Sequence, residues 1–157
     1  MIGFASLLGC TARPSRAPAN RFSEAIRLDP RYLHAYHGRG PAYAARDDYD
    51  QAVIDHIEAI RLCPRAAEAY NNFARFWASC PDPERRDGKV AVELAERACE
   101  LSDWEDWDCL STLAAAYAQR GDTDQAAEWA AKALALAPEN EKAPCRAQLA
   151  IYRSANG

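Results

Sequence analysis

The sequence predicts an all-α protein built from repeated pairs of helices, about eight helices in all. The first observation behind this prediction is a repeating register, because Ala25, Ala59, Ala98 and Ala133 follow one another at steps of 34, 39 and 35 residues. The second is composition: hydrophobic residues make up 49% of the chain, with an excess of alanine, the best helix former. A register of this kind indicates helix pairs that stack and bury a continuous core between them.

The most regular unit spans residues 107–138 and consists of two amphipathic helices joined at Gly121-Asp122. Its characteristic positions hold Leu110, Leu113, Ala114, Tyr117, Gly121, Ala126, Ala133 and Pro138. This pattern resembles the tetratricopeptide repeat (TPR), a 34-residue helix-turn-helix unit. The resemblance implies a right-handed helix-turn-helix solenoid, a TPR superhelix of the bacterial type with one extended repeat.

The first third of the chain departs most from this unit. Residues 1–19 do not fit the repeat and are predicted to be irregular or ragged, and residues 20–30 resemble a partial repeat, its second helix only. Residues 31–64 form the first full repeat. Pro41 falls inside its first helix and is expected to bend it near His37 to Pro41, because a proline there removes a backbone hydrogen bond.

The remaining elements follow in order. Residues 65–106 form a second repeat with an extended inter-helix loop at 79–88, residues 107–138 form the third, and residues 139–157 form a C-terminal capping helix. In that last helix Pro144 suits a first-turn position, and Cys145, Leu149 and Tyr152 form one apolar stripe.

Aspartates are predicted to cap three of the helices. Asp48 with Gln51 and Asp122 with Gln125 have the arrangement of a capping box, in which the aspartate accepts from the first free N–H groups of the helix. Asp87 is predicted to cap the helix that follows the extended loop.

Composition and motifs argue against several classes of function. The net charge of −4 and the pI near 5.4 do not suggest a nucleic-acid surface, and no apolar run approaches the ~20 residues of a membrane span. No GxSxG, HExxH or glycine-rich phosphate loop occurs, so we expect no enzyme and no cofactor. The six cysteines show no metal-ligand spacing, although Cys99 and Cys109 could approach each other, and His34 and His37 share a helix face without an evident third ligand. We expect no bound metal.

Residues 103–108 form a run of acidic residues interrupted by two tryptophans. It suggests a sugar or cation site. The alternative is that its acids favour the N-terminus of the next helix while a tryptophan packs on the previous repeat.

The TPR resemblance implies a concave groove that is lined by the first helices and binds a peptide or a helix of another protein. Matched position by position, the lining is His34, His37, Glu68, Asn71, Asn72, Arg75, Ser79, Asp108, Ser111, Thr112 and Gln119. Asn71, Asn72 and Arg75 resemble only the centre of the carboxylate clamp of chaperone-binding members. Arg75 with Asn72 is the best candidate contact for a carboxylate or a peptide backbone.

The predicted function is a non-catalytic scaffold for protein–protein interaction, located in the cytoplasm. One alternative is an exported or lipid-anchored assembly factor, because Leu7-Leu8-Gly9-Cys10 resembles a lipoprotein signal that would lipidate Cys10. Another is an oligomerisation module that self-stacks through an exposed apolar end. A thiol enzyme or metal protein is the third.

Overall fold

The computed structural model describes residues 17–155, and these residues contain eight α-helices and no strand. The helices are α1 (Ala17–Leu28), α2 (Leu33–Ala44), α3 (Tyr49–Leu62), α4 (Ala67–Ser79), α5 (Gly88–Leu101), α6 (Trp107–Arg120), α7 (Thr123–Leu136) and α8 (Lys142–Ser154). A short 3₁₀ turn spans Pro83–Arg85 between α4 and α5. The predicted all-α fold is confirmed.

The chain divides into two compact units. The first comprises the described residues up to Pro64 together with Pro81–Pro83, and the second comprises Arg65–Cys80 and the described residues from Glu84 onward. Within the first unit α2 packs against both α1 and α3. Within the second, α4 pairs with α5 and α6 with α7, while α6 also contacts α4 and α5, and α8 covers α7.

The core of the first unit combines alanines with polar side chains. Ala35 and Ala52 are fully buried, and so are Asp55 and His56, which are 1% and 2% exposed. Gly40 leaves room for this arrangement, because a Cβ there would lie 3.3 Å from the His56 ring. The interior of this unit therefore depends on hydrogen bonds and charge as well as on apolar contact.

The core of the second unit is almost entirely apolar. Leu110 and Leu113 are buried with Cys99 and Cys109 among alanines of α4 to α7. The start of α5 lies directly against the end of α6, since a Cβ on Gly88 would be 2.5 Å from the backbone nitrogen of Arg120. Small residues thus permit the close approach of helices that the repeat pattern predicted.

Helix capping differs from the prediction at two of the three aspartates. Asp87 caps α5 as predicted, because its carboxylate accepts from the backbone N–H groups of Lys89 and Val90. The capping boxes at Asp48 and Asp122 are wrong, since neither side chain bonds its helix. The reason is backbone geometry: ψ is 100° at Asp87 but 62° at Asp48 and 74° at Asp122, short of the extended conformation that aims a cap at the first turn.

Two of the prolines discussed from the sequence lie within helices, Pro41 in α2 and Pro144 in α8. α2 is continuous through Pro41, and a bend there stays a prediction. In α8, Pro144 lies in the first turn, and Cys145, Leu149 and Tyr152 are buried as predicted. α1 begins at Ala17, earlier than the start of the partial repeat at residue 20, and Pro18 suits its first turn because the N–H groups there have no helical partner.

None of the helices within residues 17–155 combines the length and the apolar character that crossing a membrane requires. Cys10 and the predicted lipidation signal lie outside the described residues.

Candidate functional site

The predicted groove residues fall into both units. His34 and His37 lie in α2 of the first unit, where their ring centroids are 6.2 Å apart in an edge-to-face arrangement. The other nine residues lie in the second unit, on α4 and α6. The geometry of a candidate binding surface is therefore described from α4 and α6 alone.

A polar cluster joins α4 to α6 at the centre of this surface. Nη2 of Arg75 donates to both carboxylate oxygens of Asp108, at 2.8 and 2.7 Å, and to Oγ1 of Thr112 at 3.2 Å. Nδ2 of Asn71 donates to the same carboxylate at 2.7 Å. Four of the predicted residues thus form one hydrogen-bonded group that links the first helices of two successive repeats.

The charge state of this cluster differs from that of a carboxylate clamp. Arg75, which was predicted to contact a ligand together with Asn72, is ion-paired with Asp108, whose negative charge balances the guanidinium. A free carboxylate would therefore compete with Asp108 for the arginine. Nε and Nη1 of Arg75 have no hydrogen-bond partner among residues 17–155, and the side chain is 44% exposed. These N–H groups remain able to donate to a neutral acceptor such as a peptide carbonyl.

Two amides of α4 complete the polar surface. Asn71 is buried, and its Oδ1 accepts no hydrogen bond from the part of the chain that the structure describes. Asn72 is half-buried and its amide has no partner within the same range, so both its donor and its acceptor are available. Asn72 lies three residues before Arg75, on the same face of the helix.

The remaining predicted residues contribute less to the centre. Oγ of Ser79 donates to the carbonyl of Arg75 one turn earlier, and Oγ of Ser111 donates to Oε1 of Gln148 in α8 at 2.8 Å. Glu68 and Gln119 are exposed. Ser111 therefore takes part in the contact between α6 and α8.

Three of the cysteines that suggested thiol chemistry, Cys99, Cys109 and Cys145, are buried in the second unit. Cys99 and Cys109 are both free thiols, and burial raises the pKa of each to about 12, with the neighbouring Cys109 adding to the effect at Cys99. Burial also raises the pKa of Cys145. Because the thiolate is the nucleophile, these buried thiols are poor nucleophiles at neutral pH.

The acidic run at residues 103–108 serves α6 as expected. Asp106 accepts from the backbone N–H of Asp108 at the N-terminus of α6, and Asp108 pairs with Arg75. The expected packing of a tryptophan on the previous repeat is wrong for Trp104. Its ring is stacked 5.2 Å from that of Trp129 in α7, which belongs to the following repeat.

Sequence analysis missed a second polar network, in the first unit. Both nitrogens of the Arg39 fork, Nε and Nη2, donate to the buried carboxylate of Asp55 at 2.8 and 2.7 Å, and Nη1 donates to Oγ of Ser23 at 3.2 Å. The signal that could have found it is Asp55 itself, an acid on the face of α3 that also carries the repeat alanines Ala52 and Ala59. An acid on a core face indicates a buried partner.

Comparison with known proteins gives a consistent result. Residues 107–140 match the family model of the tetratricopeptide repeat. Two crystal structures of MamA resemble the fold, with TM-scores of 0.65 and 0.63 at 17% sequence identity. Each match covers 88% of this chain, and 77% and 72% of the respective MamA chains. No curated protein sequence gives a significant match. At this level of identity the structural likeness establishes the fold.

Proposed function

We propose that this chain is a non-catalytic scaffold that binds an extended segment of another protein, because residues 107–140 match the tetratricopeptide repeat and the fold resembles that of MamA. The proposed surface is formed by α4 and α6, and it is centred on Asn72 and Arg75. The observation that carries the proposal is the Arg75–Asp108 pair, which fixes the guanidinium at the surface while leaving Nε and Nη1 without acceptors.

The chemistry of this pair favours a peptide backbone as the ligand. Asp108 neutralises Arg75, so the surface offers directed N–H donors without a net positive charge. The Asn72 amide supplies a donor and an acceptor on the same face, which is what a peptide group in an extended segment requires. The Arg75 side chain is already ordered before the ligand binds, because Asp108 holds it in place. This reduces the entropy cost of binding.

The test compares two arginines of the second unit. The full-length protein is immobilised as wild type, as Arg75→Gln and as Arg97→Gln, and proteins captured from a cell lysate are identified. Arg97 is the matched control, because it is 49% exposed, against 44% for Arg75, and is also ion-paired, with Glu100. Circular dichroism confirms that each variant is folded.

We expect a partner that both wild type and Arg97→Gln retain and that Arg75→Gln loses, with Asn72→Ala weakening it about tenfold, as for a central contact. A partner that all variants retain equally would contradict binding at α4 and α6. The competing oligomerisation hypothesis has a separate readout, since light scattering at high concentration detects self-association.

A further inference from the structure

A second surface of the second unit is built around two stacked tryptophans. It consists of residues other than those of the Arg75 cluster, and it is apolar where that cluster is polar. Trp104 lies in the turn between α5 and α6, and Trp129 lies in α7, with ring centroids 5.2 Å apart and planes inclined by 25°. An open pocket of about 440 Å³ adjoins them. Its lining consists of Trp104, Leu110, Trp129, Lys132, Ala135 and Leu136.

The exposed rim of this pocket is apolar. Trp104 is 39% exposed and Leu136 is 49% exposed, whereas Leu110 beneath them is buried. Exposed apolar side chains that are grouped around a concave pocket are typical of a docking site, whereas single exposed apolar residues are common on any surface. Tryptophan is also the residue type most enriched among the strong contacts of protein interfaces.

The backbone holds Trp104 in place at a cost. Asp103 and Trp104 are consecutive residues with positive φ, at 53° and 60°. Left-handed conformations are unfavourable for residues with a side chain, and they are rarest for bulky residues. This turn carries the Trp104 ring, which stacks on Trp129 and is 39% exposed.

The charge around the pocket identifies the kind of partner. Lys132, the charged residue of the lining, is neutralised by Glu128 at 2.8 Å and lies 4.0 Å from the centre of the Trp129 ring. Asp103 and Glu105, which flank Trp104 in the chain, are exposed, and neither carboxylate has a partner within residues 17–155. The uncompensated charges next to Trp104 in the chain are therefore negative, and charge complementarity favours a positively charged partner.

We propose that the Trp104–Trp129 pocket docks a cationic amphipathic segment of another protein. A bulky apolar side chain of that segment would enter the pocket beside Leu136, and a neighbouring lysine or arginine would pair with Asp103 or Glu105. The residues that line this pocket are different from those of the hydrogen-bonded cluster of Arg75, Asp108, Asn71 and Thr112.

Calorimetric titration of the full-length protein tests the proposal with defined peptides. The probe is a capped peptide in which leucine and phenylalanine alternate with lysine and arginine, and its control has glutamate in place of every basic residue. The pocket variants are Trp104→Ala, Leu136→Lys and Glu105→Gln. Their matched controls are Ile57→Ala, an exposed apolar residue of the first unit, and Glu93→Gln, an exposed acid of α5 that also has no partner within residues 17–155.

We expect the basic peptide to bind and the acidic one not to bind. Trp104→Ala and Leu136→Lys should each weaken binding about tenfold or more, and Glu105→Gln should weaken it several-fold and reduce its dependence on salt. Leu136→Lys keeps the test decisive if the strained turn rearranges in Trp104→Ala. Ile57→Ala and Glu93→Gln should bind as the wild type does.

Three results would overturn the proposal. The first is equal binding of the basic peptide by wild type and Leu136→Lys. The second is tighter binding of a peptide of residues 2–16, which is apolar with two arginines and would make the occupant a segment of this chain. The third is self-association of the wild type that Leu136→Lys abolishes, which would make the occupant a second copy.

Discussion

The two units of this protein fold by the same repeat pattern but stabilise their interiors differently. In the first unit α2 and α3 bury Asp55 and His56 beside alanines, and Arg39 reaches in to neutralise Asp55. In the second unit the corresponding helices bury leucine, cysteine and alanine, and its principal ion pair, Arg75–Asp108, lies at the surface. A helical repeat therefore requires small residues at a regular spacing, whereas its larger core positions can hold either apolar side chains or paired polar ones.

This difference has consequences that experiments can separate. A buried, paired charge is sensitive to loss of its partner and to pH, while an apolar core is sensitive to loss of volume. All four tryptophans, Trp77, Trp104, Trp107 and Trp129, lie in the second unit. Tryptophan emission therefore reports the second unit alone, and far-ultraviolet circular dichroism reports both.

The largest effect is expected from Asp55→Ala. This change leaves the Arg39 guanidinium, whose side chain is only 17% exposed, without its carboxylate, and it should lower the free energy of unfolding by about 3–5 kcal/mol. In urea titrations the transition followed by circular dichroism should move to lower concentration, with a smaller change in tryptophan emission. Leu113→Ala is the counterpart in the second unit and should move the tryptophan transition by about 2–5 kcal/mol.

Replacing both charged partners sharpens this prediction. Arg39→Met combined with Asp55→Leu removes the buried pair without leaving one charge alone, so the double variant should recover most of the stability that Asp55→Ala loses. A double variant as unstable as Asp55→Ala would show that the site depends on the shape of the pair and not on charge balance.

How much of this structure the sequence predicts depends on how far apart in the chain the interacting residues lie. The register of alanines, the cap at Asp87 and the buried stripe of α8 are local patterns, and the structure has all of them. The contacts of Asp108 with Asn71 and Arg75 join residues 37 and 33 positions apart, and they depend on how two helices are rotated. No local pattern specifies that rotation, so the sequence did not predict the contacts of Asp108 with Asn71 and Arg75.

The pH dependence of the first unit should give the next largest effect. Burial, reinforced by the nearby His37, lowers the pKa of His56 from 6.5 to about 4. The unfolded chain therefore binds a proton at higher pH than the folded chain, so stability is fully present above about pH 7 and falls as the pH drops towards 4. At about pH 5 the loss should be about 2 kcal/mol relative to neutral pH.

Urea titrations at about pH 7.5 and pH 5 measure this loss by circular dichroism. His56→Leu is the control, because an apolar side chain of similar size has no proton to gain. The variant should lose the pH dependence between these two values. An equal loss in wild type and variant would assign the effect to other groups.

The smallest effect compares two helix ends that look alike in sequence. Asp87 and Asp48 each precede a helix of 14 residues, but only the Asp87 carboxylate bonds the first turn. Asp87→Ala should cost about 1 kcal/mol, the usual value of an N-cap, whereas Asp48→Ala should change stability by only a few tenths. Tryptophan emission is the readout for α5 in the second unit, and circular dichroism is the readout for α3 in the first. An equal cost at both positions would mean that Asp48 caps α3 in solution. The capping box predicted from the sequence would then describe the molecule better than the ψ angle of 62° does.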